Sequence, residues 1–250
     1  MILDRVWREL ARYRSHPRQL LNDLKPLSGA VQRTPEVFLR MFPNVVWTHP
    51  DREHGPLLLT FDDGPDPVAT PLVLDALKRH KVKAAFFLRG DKIEGQAKLI
   101  GRMRREGHAV GYHGASHTAW WFLSRFQRGV EMNPAILPLT QGSPFEGDLP
   151  LLLRPPFGRF DYAAVATAEE LEAQLILFSL VVSDWKEGVS VSQISERLLK
   201  NAQPGDIIAL HDGGINGQLL PRVLDTVLPL WTYAGLGTGS IEQFLLEKAT

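Results

Sequence analysis

The sequence predicts a single-domain α/β fold, a closed or nearly closed (β/α) barrel of about seven parallel strands. Three observations carry that reading. Short apolar runs recur along the chain and read as buried strands. Helical patterns lie between most of them, as parallel pairing requires. Polar clusters stand where the apolar runs end: Asp62-Asp63 after Leu57-Leu58-Leu59, His113 and His117 after Ala109-Val110, Arg154 after Leu151-Leu152-Leu153, Asp184 after Ile176-Leu177-Phe178, and His211 after Ile207-Ile208-Ala209-Leu210. Polar residues at the carboxyl ends of several parallel strands are how an α/β barrel builds an active site.

Taken in order, residues 1–30 predict a helical extension, with Leu3, Val6, Trp7 and Leu10 at helical spacing among Arg5, Arg8, Arg12 and Arg14. Those arginines interrupt any apolar stretch, so the segment does not read as an export signal, and a cytoplasmic location is expected, with a cell-envelope substrate as the alternative. The barrel is expected over residues 31–250. Leu57 to Phe61 predicts a strand, and Thr70-Pro71 a helix start, with Thr70 as N-cap before Leu72 to Arg79. Lys83 to Leu88 and His108 to Tyr112 read as strands around a helix over Gln96 to Glu106. Met132 to Pro150 is rich in Pro and Gly and reads as a long loop near the site. Strand Leu151 to Leu153, helix Tyr162 to Ala173, strand Leu175 to Val182, helix Val191 to Asn201, strand Asp206 to Leu210 and helix Leu219 to Tyr233 complete the alternation.

Composition sets limits. A chain of 250 residues that is 44% hydrophobic can bury one sizeable core. Basic and acidic residues balance at 28 each, so no net field steers the protein towards nucleic acid. No run of about 18 apolar residues exists to span a bilayer. Cysteine is absent, so a metal would have to sit on His and carboxylate. Each polar cluster alone also fits a solvated turn; their order and shared place at strand ends point to a site. Neither Ser116 nor Ser143 lies in a Gly-x-Ser-x-Gly elbow, which weighs against a serine hydrolase. Gly235-Leu236-Gly237-Thr238-Gly239 lacks the helix-opening context of a phosphate loop.

Thr60-Phe61-Asp62-Asp63-Gly64-Pro65, the His113/His117 pair, Arg154-Pro155-Pro156-Phe157-Gly158, Asp184-Trp185 and Leu210-His211 resemble, in order, the five motifs of the polysaccharide deacetylases, carbohydrate esterase family four. The resemblance runs from about Val31 to the C-terminus and implies a distorted barrel. It implies that Asp63, His113 and His117 hold a divalent metal, zinc by preference or cobalt, and that Asp62 is the general base. His211 would be the acid that protonates the leaving amine, oriented by Asp184, while Arg154 would fix Asp62 and keep it ionised. Trp185 and Leu210 would wall the acyl pocket, with a backbone N–H donor near Phe157. Trp120-Trp121 either stacks on a sugar ring or belongs to the core. The implied reaction is removal of N-acetyl groups from an N-acetylglucosamine-containing saccharide, of peptidoglycan or chitooligosaccharide type. An amino-sugar deformylase and a catalytically weak saccharide-binding protein are the alternatives. Several residues depart from the family pattern. Tyr112 and Gly114 flank His113 where Asn and Ser or Thr are usual, Phe157 replaces Tyr, and Ala209 replaces Leu. The lost hydroxyl at Gly114 predicts that Gly114→Ser tightens metal binding; the alternative is that Gly114 adopts a positive φ, or that Tyr112 already supplies the contact, so that serine strains the loop.

Overall fold

The computed structural model describes residues 30–121, 123–136 and 149–246. The expected N-terminal extension and most of the expected 132–150 loop lie outside the described residues. At the centre is an eight-stranded sheet. Its strands are β1 (Gln32–Arg33), β2 (Leu58–Asp62), β3 (Ala84–Leu88), β4 (Ala109–Tyr112), β5 (Leu151–Leu153), β6 (Ala173–Leu175), β7 (Leu180–Val181) and β8 (Ile207–His211). They lie in the order β1-β7-β8-β2-β3-β4-β5-β6. Strands β2 to β8 pair only in parallel, and β1 joins β7 antiparallel.

The span read as one strand, Leu175 to Val182, is two. Strand β6 ends at Leu175, and residues 176–179 carry the chain to β7, next to the opposite edge of the sheet. A link that short cannot reach further than roughly 15–18 Å, so the sheet must curl until its edges nearly meet. The remaining gap is lined by backbone from the lead-in: Val46 bridges Ile176 and Thr48 bridges Asp206. Strands β2 and β3 are buried at every position, and helices pack around the curled sheet. Parallel strands covered on both faces are continuous apolar runs for this reason.

The helices are α1 (Glu36–Met41), α2 (Ala69–His80), α3 (Ala97–Arg105), α4 (Arg125–Met132), α5 (Tyr162–Glu170), α6 (Val191–Asn201), α7 (Leu220–Tyr233) and α8 (Ile241–Leu246). Thr70 is not the cap of α2. The helix opens earlier because the Asp66 carboxylate accepts the N–H groups of Val68 (2.8 Å) and Ala69 (2.7 Å). Thr70 sits inside the first turn, where its hydroxyl accepts from Asp66 N (2.8 Å) and donates to Asp212. No helix among the described residues is long and apolar enough to cross a membrane.

Candidate active site

Parallel register brings the carboxyl ends of the strands to one rim. Asp62 closes β2 directly opposite His211 on β8. Arg154 follows β5 and donates its N–H to Tyr112 O, which sets it beside the end of β4, where His113 begins. After Asp62 the backbone turns sharply: Asp63 has φ 69° and the Gly64-Pro65 bond is cis. A left-handed conformation is costly for a residue with a Cβ, and His117 (φ 59°), Phe157 (φ 59°) and Ser183 (φ 52°) share it around the same rim.

The left-handed turn throws the Asp63 carboxylate away from Asp62 and towards the two imidazoles. Its Oδ1 lies 2.9 Å from His117 Nε2 and 3.8 Å from His113 Nε2. These distances bracket the roughly 3.3 Å that separates tetrahedral ligands at zinc bond lengths of about 2.0–2.2 Å. Asp63 Oδ1 is itself buried. One atom from each of the three residues falls within 4.8 Å of the others. Such convergence of lone pairs, with His113 buried and Asp63 and His117 half-buried, fits a divalent cation. His113 Nδ1 lies 2.9 Å from Arg154 O, where it can only donate, which leaves Nε2 as the free lone pair. Burial, against the pull of Asp62 and Asp63, pushes the His113 pKa down to about 4, so the ring is neutral as a ligand must be. Burial works against the Asp63 charge, but His117 and His113 outweigh it and hold the carboxyl well below the ordinary range.

Arg154 is fully buried and spends each side of its fork. Nε donates to Ile176 O (3.0 Å), one terminal nitrogen to Leu177 O (2.8 Å), and the other to Asp62 Oδ1 (2.8 Å) and Thr60 Oγ1 (2.6 Å). Its guanidinium carbon lies 4.0 Å over the Phe87 ring. A planar fork locked at three points fixes one oxygen of Asp62 and leaves the other for chemistry. Opposite, Asp184 Oδ1 holds His211 Nδ1 at 2.9 Å while Oδ2 accepts the His211 backbone N–H at 2.8 Å. Burial opposes a charged ring, yet Asp184, with smaller help from Asp62 and Asp63, carries the His211 pKa up to about 9. Asp184 thus favours the charged form of the His211 ring and holds it through Nδ1, leaving Nε2 free to act as an acid.

Of the expected substrate contacts, Phe157 is 60% exposed with its ring 4.5 Å from that of His117, and Trp185 is 38% exposed at 4.8 Å from His211. Trp120 is fully buried in the core, so of the two alternatives for the Trp pair it takes the core one, and the substrate contact expected of it is corrected; the exposed member is Trp121. Leu210 is also fully buried. Gly114 takes the positive φ under which serine strains the loop. Its φ of +86° is one that serine adopts only under strain, and a Cβ there would meet Glu131 Oε2 and Trp120 Nε1 at 3.3 Å. The loop is braced without that hydroxyl: Glu131 accepts from both the N–H and the hydroxyl of Ser116, and its carbonyl accepts from Ala115 N.

Sequence reading missed Glu131 and two other residues. Lys92 Nζ donates to Asp63 O (2.8 Å) and Gly213 O (3.1 Å), pinning the Asp63 turn to the β8 loop. Asp212, fully buried, takes the Thr70 hydroxyl and packs where a Cβ on Gly64 would lie; burial, with Asp62 and Asp63 nearby, pushes its pKa up to about 7. Adjacency to His211 was the available signal for Asp212. Lys92 stands in no pattern that sequence displays.

The family model for polysaccharide deacetylases matches residues 49–176. A peptidoglycan-N-acetylglucosamine deacetylase of Bacillus cereus is 34% identical over 209 residues, covering 82% of this chain and 94% of the relative. The crystal structure of the Bc1960 peptidoglycan N-acetylglucosamine deacetylase superposes with a TM-score of 0.74 at 28% identity, over 84% of this chain and 96% of that one. A family 4 acetyl xylan esterase from Clostridium thermocellum, solved with a cobalt ion, gives a TM-score of 0.67 at 26% identity, over 78% and 92% of the two chains. The chain belongs to the polysaccharide deacetylase family of metal-dependent hydrolases.

Proposed function

We propose that this protein removes N-acetyl groups from a saccharide containing N-acetylglucosamine, of the peptidoglycan type, with zinc on Asp63, His113 and His117. The observation that carries the reading is the arrangement of two differently wired acid–base groups beside that donor set. Asp62 is fixed by Arg154, and His211 is charged and aimed by Asp184. A divalent ion supplies Lewis-acid chemistry there, acidifying water and polarising the acyl carbonyl. The free oxygen of Asp62 takes the proton from the attacking water. His211 Nε2 delivers a proton to the departing nitrogen, which an amine needs because it is a poor leaving group. Trp185, edge-on to His211, offers apolar surface for the acyl methyl. The peptidoglycan-type substrate is supported by the Bacillus relative, which aligns over nearly its whole length.

Acetate release from N-acetylated glycan fragments tests this, with formate measured in parallel. Chelation should abolish acetate release and added zinc or cobalt should restore it, since water must be acidified far below its ordinary pKa, to about 7, to attack at neutral pH. Full activity in a verified metal-free sample, or formate as the product, would refute the assignment.

A further inference from the structure

Arg159 stands on the turn that carries Phe157 and takes no part in the chemistry above. Its guanidinium carbon lies 4.9 Å over the ring of Trp121, which is 41% exposed. The two segments are tied together, because Trp120 N donates to Arg159 O at 3.1 Å. Both lead straight back to the metal ligand His117. Trp121 follows it by four residues, and Phe157, whose ring packs on His117, precedes Arg159 by two. Two residues span at most about 7 Å, so the stacked pair sits on the rim beside the site.

Neighbouring arginines are committed elsewhere. Arg128 donates to Leu123 O and lies 3.9 Å from Asp161, and Arg125 lies 3.9 Å from Glu170. Among the described residues Arg159 forms no ion pair; it is exposed, and its only described side-chain contact is the indole face. A guanidinium stacked on an aromatic ring keeps its N–H edge free and pre-oriented, the geometry that receives a carboxylate through two parallel hydrogen bonds. A neutral sugar makes poor use of such a group.

We propose that Arg159, oriented by Trp121, is a specificity-determining residue that binds a carboxylate borne by the saccharide next to the sugar undergoing hydrolysis, so that the preferred substrate is an anionic glycan. This rests on the deacetylase reading and narrows it. The test compares acetate release by the zinc-loaded full chain from three probes of equal length: a neutral chitooligosaccharide, a glycan fragment whose alternate sugars carry lactyl carboxylates, and that fragment with its carboxylates methyl-esterified. The native protein should favour the free carboxylate. Arg159→Gln should cut the ratio of kcat/KM for the free over the esterified fragment about five- to tenfold, through KM with kcat kept. Arg159→Lys should recover part of the ratio and Trp121→Leu should lower it, while Arg105→Gln, exposed at the opposite end of the sheet where α3 leads into β4, should leave it alone. Added salt should erode the native preference and not that of Arg159→Gln.

A ratio unmoved in Arg159→Gln, a loss confined to kcat, or an equal loss in Arg105→Gln overturns the inference. Native activity with no preference for the carboxylate overturns it while leaving the deacetylase standing. Absence of acetate from all three probes overturns the deacetylase reading, and this inference with it.

Discussion

Asp62 and Asp63 are adjacent in sequence yet face different partners, and one backbone angle separates them. Asp62 still belongs to β2, so its side chain follows the strand register and meets Arg154. Asp63 has stepped into the left-handed region, which turns its carboxylate towards His113 and His117. The two should therefore fail differently. Asp62→Asn keeps the shape and the Arg154 contact but cannot accept a proton; it should retain metal while turnover falls about 10²–10⁴-fold. Asp63→Ala should lose the metal itself. Metal content of the purified variants decides between base and ligand, and an Asp62→Asn protein without metal would show that the carboxylates have been assigned the wrong way round. The identity of these residues was legible because each stands where an apolar run stops, a pattern that sequence displays directly. The left-handed turn was not, since Asp tolerates both conformations. Nor was the burial of Trp120 against the exposure of Trp121, because adjacent aromatics look alike until a fold points them in opposite directions.

At the scale of elements, α4 holds the metal loop although none of its residues belongs to the donor set. Its last turn presents Glu131 to Ser116 and Ala115, between the two ligand histidines. Groups that position ligands typically carry about 10–100-fold in metal affinity. Glu131→Gln should weaken zinc binding within that range and leave turnover at saturating zinc nearly intact, whereas loss of kcat at saturation would place Glu131 in the chemistry instead. Competition titration against a fluorescent chelator measures the first and steady-state kinetics the second. This helix escaped the sequence reading for a physical reason: it is eight residues long, contains Gly129, and buries only Arg128, Glu131 and Met132, so no apolar stripe announces it. Its start was readable, since Ser124 and Gln127 form a reciprocal capping box. The helix over Val191–Asn201 was readable throughout, having an equivalent box at Ser190 and Gln193 and an apolar face on Ile194 and Leu198. The split of the 175–182 run into β6 and β7 was hidden, because an apolar stretch that crosses a barrel seam looks the same as one that stays in a single strand.

Across the whole molecule, the two ends of the curled sheet carry buried imidazoles with opposite duties. His113 is neutral at the catalytic end so that it can bind a cation. His108 is neutral at the opposite end, before β4, because its Nδ1 accepts the N–H of Ala84 (3.2 Å) and its ring meets the Phe86 ring edge-on at 5.5 Å. Burial, reinforced by Lys83 and Arg102 against Glu106, pushes the His108 pKa down to about 4. An unfolded chain takes up that proton near pH 6.5, so between 6.5 and 4 the unfolded state binds more protons than the folded one. The His108 contribution to stability is thus complete above about pH 6.5 and is lost as pH falls through about 4. The melting temperature should decline over that window, and His108→Gln, which has no proton to gain, should flatten the decline by several degrees relative to its own value at pH 7. The effect of His108 should persist with zinc bound, because it touches no ligand. His113, also held down to about 4, contributes the same kind of acid limb in the metal-free chain, and bound metal, competing with protons for the ring, should deepen that limb further. Thermal scans from pH 4 to 7 on native and His108→Gln chains, each with and without zinc, separate the two imidazoles. Parallel acid limbs for the native and variant chains would mean that His108 is protonated in the folded state and that the Ala84 contact does not hold it neutral.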